Sequence, residues 1–140
     1  MNNRIAILSD IHGDTRALKA VIADARALGA TEFWLLGDIL LPGPGREDLF
    51  ELLDAIPITA AVRGNWDDCV LEALDGEYGL EDPQEIQLLR LTQYLMEGLD
   101  PKRIDWLRSL PLVEKKEVNG IRFSLTHNLP EKNYGGDLRP

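Results

Sequence analysis

The sequence predicts an α/β protein on three observations: short apolar runs each end in a polar loop, stretches with apolar residues three and four apart follow the first two runs, and both histidines fall at the end of such a run. Alternation of strand, loop and helix builds a parallel sheet. In an open sheet of that kind the side chains at the carboxyl ends of adjacent strands converge on one crevice.

The first run, Arg4-Ile5-Ala6-Ile7-Leu8-Ser9, is nearly all apolar and predicts a strand covered on both faces. It ends in Asp10-Ile11-His12-Gly13-Asp14. Leu18, Val21, Ile22, Ala25 and Leu28 then predict an amphipathic helix, stopped by Gly29. Phe33-Trp34-Leu35-Leu36 predicts a second strand ending at Gly37-Asp38. Pro42-Gly43-Pro44-Gly45 reads as a loop, and Arg46 to Asp54 as a short helix. Ile58 to Val62 predicts a third strand, with Arg63 to Asp68 as its polar loop.

A mostly helical insertion is predicted over about 70–110: a short helix at Val70, Leu71 and Leu74, an acidic loop from Gly76 to Pro83, a helix from Ile86 to Met96, and another after Pro101. Pro111 to Val118 and Ile121 to Thr126 predict two strands joined at Asn119-Gly120, a dipeptide whose members both tolerate positive φ. The second of these strands delivers His127. Asn133 to Pro140 reads as a loose tail.

A chain of 140 residues suffices for one core, so residues 1–140 are expected to form a single, partial domain. Hydrophobic residues make up 44% and charged residues 28%, a balance that excludes general disorder. No apolar run approaches the length of a membrane span, and Met1-Asn2-Asn3-Arg4 leads directly into a strand, so a cytoplasmic location and no membrane partner are expected. A single cysteine, Cys69, excludes a disulfide framework and a thiolate zinc cluster. The formal charge of −9, with no basic tract, argues against a stable duplex nucleic acid partner and is compatible with a small phosphorylated substrate held through metal.

Taken singly, the strand-end polar residues have ordinary readings. Asp10 can cap a turn, His12 can sit on the surface, Asp38 can order a loop, Asn65 can occupy a left-handed turn position, and His127 can simply end a strand. Together, two carboxylates, an amide oxygen and two imidazoles make a ligand set suited to Mn, Fe or Zn. A carboxylate such as Asp38, placed among the others, can bridge two ions about 3.5–4 Å apart.

The ordered series Asp10-Ile11-His12-Gly13-Asp14, Gly37-Asp38, Gly64-Asn65-Trp66-Asp67 and Thr126-His127 resembles the successive blocks of the calcineurin-like metallophosphoesterase family, in its small bacterial and archaeal phosphodiesterase branch. The resemblance implies a layered sandwich of two β-sheets flanked by helices. It implies that Asp10 and His12 bind a first ion, that Asp38 bridges, and that Asn65 and His127 bind a second, with manganese favoured. Asn65 and Asp67 enter as catalytic-site residues, Asp67 by orienting its neighbours or, on its plainer reading, as a helix cap. The activity implied is hydrolysis of a phosphodiester or phosphomonoester by a metal-activated water.

Two departures stand out. Relatives place a histidine where this chain has Trp66, and an indole cannot protonate a leaving group. The family also ends in a Gly-His-x-His block, whereas no histidine follows His127 here and only 13 residues remain. The resemblance therefore implies a chain truncated before that block, with two ligands missing and the second sheet incomplete, and it implies a homodimer through the incomplete sheet. The competing expectation is a catalytically inactive or incomplete fragment acting as a binding or interaction module. A nucleotide-binding α/β domain is disfavoured, because the first turn lacks the glycines that let backbone wrap a pyrophosphate and carries Asp10 and Asp14, which repel that phosphate unless metal is present.

Overall fold

The computed structural model describes residues 3–133. Strands β1 (Ile5–Leu8), β2 (Glu32–Leu35) and β3 (Ile58–Ala61) form a parallel sheet in the order β1-β2-β3. Helix α1 (Thr15–Ala27) connects the first pair, and α2 (Glu47–Asp54) the second. The α1 start is fixed by Asp14, whose carboxylate accepts the Ala17 N–H at 2.9 Å and satisfies a donor that the first helical turn leaves free.

Alternation along β2 divides the interior in two. Phe33 and Leu35 point to one side, where they pack with Leu18 and Ile22 of α1 and with Leu49, Phe50 and Leu53 of α2. Trp34 points to the other side, against Ala60, Val62 and Leu125. Each fully buried side chain of this size contributes roughly 1.5–3 kcal/mol.

Three more helices close the first side: α3 (Asn65–Leu74), α4 (Pro83–Met96) and α5 (Pro101–Ser109). Both α4 and α5 begin with an Asp-Pro pair, in which Asp82 or Asp100 caps the helix and the proline follows where no donor is needed. Helix α4 therefore starts three residues before the expected Ile86. Arg103 of α5 bonds Glu47 and Asp54 at 2.7 Å each, fastening α5 to α2.

The remaining strands, β4 (Val113–Val118) and β5 (Ile121–Thr126), form the antiparallel hairpin that the sequence predicts. Asn119 and Gly120 both take positive φ, 52° and 79°, as a tight hairpin turn between twisted strands requires. The hairpin lies on the Trp34 side of the parallel sheet: Phe123 meets the Trp34 ring edge-on at 5.4 Å, and the Glu114 carboxylate accepts the Ala61 N–H at 2.9 Å. Among the described residues the result is a small two-sheet sandwich flanked by helices, with the second sheet not closed.

Two local expectations are corrected. β1 is not covered on both faces, since Ile7 is 54% exposed; the buried side chains of the hairpin core belong to β2, β3 and β5 and leave Ile7 outside it. The polar segment after β3 is not all loop, because α3 begins at Asn65: Asp67, in its first turn, accepts the Gly64 N–H at 2.9 Å and starts the helix early. Of the predicted tail, residues 134–140 lie outside the described residues. Asn133 is buried, donating to the Arg63 carbonyl at 2.9 Å and the Asp68 carboxylate at 2.8 Å. Among the described residues no helix is long and apolar enough to cross a membrane.

Candidate metal centre

The loop after β1 and the loop after β2 are tied together by backbone. Asp10 N–H donates to the Gly37 carbonyl at 3.1 Å, His12 N–H to Asp38 at 2.8 Å, and Gly13 N–H to Ile39 at 2.9 Å. To make this ladder the chain turns through the left-handed region at Asp10 (φ 57°), His12 (φ 50°) and Asp38 (φ 54°). That region is costly for side chains with a Cβ, by about 1–3 kcal/mol each, and such strain gathers at functional sites.

The strained turns aim three side chains at one point. One ligand atom from each of Asp10, His12 and Asp38 lies within 4.8 Å of the others. His12 Nε2 sits 3.6 Å from Asp10 Oδ1 and 3.6 Å from Asp38 Oδ2. Asp10 is exposed, His12 half-buried and Asp38 buried. Asp38 is held by the Trp66 N–H, which donates to its Oδ1 at 2.9 Å. Gly64 makes room for this contact, since a Cβ there would collide with Asp38 Oδ1 and Asp38 N.

His127 and Asn65 adjoin the far side of Asp38. His127 Nε2 is 3.4 Å from Asp38 Oδ2 and 2.9 Å from Asn65 Oδ1. Its Nδ1 lies 2.6 Å from the Leu36 carbonyl, just as His12 Nδ1 lies 2.8 Å from the Leu41 carbonyl. A carbonyl only accepts, so Nδ1 carries the proton in both rings. This leaves His12 Nε2 turned toward the carboxylates, whereas His127 Nε2 faces two acceptors, Asn65 Oδ1 and Asp38 Oδ2, and also carries a proton when no cation displaces it. The His12 orientation suits metal ligation, in which the other ring nitrogen is held by an outer partner. The hydrogen bond with Asp38, opposed by burial and helped by the Leu36 carbonyl, raises the His127 pKa to about 9.

Asp67 does not reach solvent. Its Oδ2 accepts the Asp38 N–H at 2.8 Å and the Gly64 N–H at 2.9 Å, and its Oδ1 accepts the Ile39 N–H at 3.0 Å. Burial, opposed by these N–H groups and reinforced by the Asp38 charge, pushes its pKa up to about 6. Asp67 shapes the loop that carries Asp38 and touches nothing outside the protein.

The donor set fits a divalent cation. Two carboxylates offer charge and an oriented imidazole offers a lone pair, so the triad has the capacity for one ion. A full two-ion centre is not assembled by these three residues. Sequence reasoning missed the carbonyls of Leu36 and Leu41 and the amide of Trp66, because backbone groups leave no mark in residue types. Gly37 and Gly64, adjacent to Asp38 and Asn65, are the one signal of the close packing.

A family model described as calcineurin-like phosphoesterase matches residues 3–138. An uncharacterized protein of Methanocaldococcus jannaschii is 30% identical over 135 residues, which make up 94% of this chain and 51% of that protein. The crystal structure of a metallophosphoesterase from Sphaerobacter thermophilus is similar with a TM-score of 0.59 and 31% identity, covering 81% of this chain and 44% of that one. This chain thus spans about half the length of each.

Proposed function

Since the chain belongs to the calcineurin-like phosphoesterase family, we propose that its 140 residues form an incomplete metallophosphoesterase unit: Asp10, His12 and Asp38 hold one divalent cation, manganese by preference, and through it bind a small phosphate ester. The observation that carries this reading is the convergence of three left-handed residues on donor atoms within 4.8 Å. Strain of that kind is kept where it serves a ligand.

When bound, a divalent cation neutralises phosphate oxygens and acidifies a coordinated water. The chain's own residues prepare for it. Asp10 and Asp38 supply countercharge, the Leu41 carbonyl fixes the His12 ring, the Trp66 amide fixes Asp38, and Asp67 acts as a positioning residue beneath them. The ester is small, because a chain of net charge −9 repels an extended phosphate backbone. Residues 1–140 are read as one partial domain, with the helices over about 70–110 as an insertion beside the cluster, in the small bacterial and archaeal phosphodiesterase branch.

A second reading, hydrolysis at two ions, is favoured by one observation: His127 Nε2 and Asn65 Oδ1 stand together beside Asp38 Oδ2 and extend the donor set. In that reading Asp38 bridges and Asn65 and His127 hold the second ion. Elemental analysis after manganese loading and gel filtration, with Asp38→Asn alongside, separates the readings. About one ion per chain, lost in the variant, supports the binding unit; about two ions with turnover of an aryl phosphodiester supports hydrolysis. No retained ion refutes both.

A further inference from the structure

A groove of about 410 Å³ runs between α3 and α4, within the size range of small-molecule sites. Asn65, Trp66 and Cys69 form its α3 wall; Gln84, Gln87, Leu88 and Leu91 form its α4 wall. The α4 residues recur at three- and four-residue spacing, so one face of that helix is turned to the groove.

Two residues link the groove to the metal centre. Asn65 belongs to both, lining the groove while its Oδ1 meets His127. Trp66 belongs to both as well: its amide holds Asp38, its ring stands edge-on to His12 at 5.8 Å, and the same residue walls the groove. A ligand anchored by phosphate at the cation therefore meets Trp66 first and the α4 face beyond it.

The lining selects what can lie there. It carries no charged side chain, so a second phosphate or a carboxylate would find no countercharge. Trp66, Leu88 and Leu91 offer apolar area and an aromatic face. Gln84 and Gln87 each offer a carboxamide, a donor and an acceptor side by side, which a plain alkyl chain would leave unpaired and which matches the edge of a nucleobase.

We propose that this groove receives the organic half of the phosphate ester bound at Asp10, His12 and Asp38, and that this half carries a flat, uncharged ring with amide-like hydrogen-bonding edges, as in a nucleoside monophosphate. The inference rests on the metal-and-phosphate reading above. Trp66 supplies the stacking surface and Gln84 and Gln87 read the ring edge. This places Trp66 in ligand selection at the position where relatives carry a histidine.

The test is titration calorimetry on the manganese-loaded chain with inorganic phosphate, ribose 5-phosphate and adenosine 5′-monophosphate. The expected result is that the nucleotide binds at least about tenfold more tightly than ribose 5-phosphate, the scale of one stacked base. In Gln87→Leu or Gln84→Leu that ratio should shrink; since the ratio is the readout, a general loss of metal would lower both ligands alike. Equal affinities, with manganese-dependent phosphate binding intact, overturn the groove assignment and leave the metal reading standing. A preference for the nucleotide that neither glutamine variant changes overturns it too, by putting the base elsewhere. Absence of any manganese-dependent phosphate binding overturns the metal reading, and this inference with it.

Discussion

The Asp67 carboxylate holds the backbone of Asp38: it accepts the Asp38 N–H at 2.8 Å and the following Ile39 N–H at 3.0 Å, while also taking the Gly64 N–H at 2.9 Å. A residue two loops away in sequence thereby sets the conformation of the most buried candidate ligand. Both oxygens act as acceptors, which a carboxamide cannot reproduce. Asp67→Asn should turn an NH2 group toward a backbone N–H and cost roughly 1–3 kcal/mol. Urea unfolding measures the stability, and manganese titration should show weaker binding in the same variant. Unchanged values in both would remove Asp67 from its positioning role.

The same carboxyl makes a pH prediction. Its pKa in the folded chain, about 6, lies above the ordinary 3.8 because burial disfavours the charge. A raised folded pKa favours the folded state below the unfolded value and loses that preference as pH climbs through the folded one. The contribution from Asp67 should thus be fully present below about pH 3.8 and gone above about pH 6. Comparison of the chain with Asp67→Asn across that window, without added metal, isolates it; parallel stability curves would contradict the assignment.

Gly64→Ala should be more damaging than an alanine at an ordinary helix cap. The new Cβ collides with the Asp38 carboxylate and amide. Overpacking of this kind costs about 1–3 kcal/mol and moves the group that is struck. Manganese affinity should fall at least about tenfold, equivalent to 1.4 kcal/mol. An unaltered affinity in a folded Gly64→Ala chain would show that Asp38 does not need this contact.

His12→Ala and His127→Ala should differ. His12 lies between Asp10 and Asp38, so its loss should abolish manganese-dependent thermal stabilisation, which amounts to about 2.7 kcal/mol when the ion is at a hundred times its Kd. His127 lies beyond Asp38 beside Asn65, so a one-ion unit should keep most of that stabilisation without it. Equal losses would instead point to ions shared across Asp38.

The open side of the sandwich exposes Ile7 at 54%, Ile121 at 61% and Phe123 at 37%. Exposed apolar side chains on a sheet that is open among the described residues favour pairing with a second copy. Sedimentation should show a dimer at tens of micromolar that Ile121→Ser with Phe123→Ser converts to monomer. A monomer already in the parent chain would end that expectation.

Much of this arrangement is legible in the sequence where residue type and backbone requirement coincide. Asp10, His12 and Asp38 follow short apolar runs that suit strands, and Asp tolerates the left-handed turn better than most residues, so their approach can be anticipated. Asn119-Gly120 announces its hairpin for the same reason. The start of α3 cannot be read so easily, because Asn65-Trp66-Asp67-Asp68 is polar like a loop and becomes helix only when Asp67 binds the Gly64 amide. The exposure of Ile7 depends on how far the β4–β5 hairpin reaches, and the α3–α4 groove on where two helices meet. Neither is encoded within a single segment.

The left-handed backbone at Asp10, His12 and Asp38 also limits how these positions can drift. β-Branched and bulky residues are excluded there by their own geometry, whereas glycine and asparagine enter without breaking the turn. Glycine or asparagine at these three places would therefore keep the left-handed turn while removing the charge and the imidazole. The turn and the donor set thus make separate demands at these places: glycine or asparagine would satisfy the backbone, and only the Asp, His and Asp side chains bring their ligand atoms within 4.8 Å of one another.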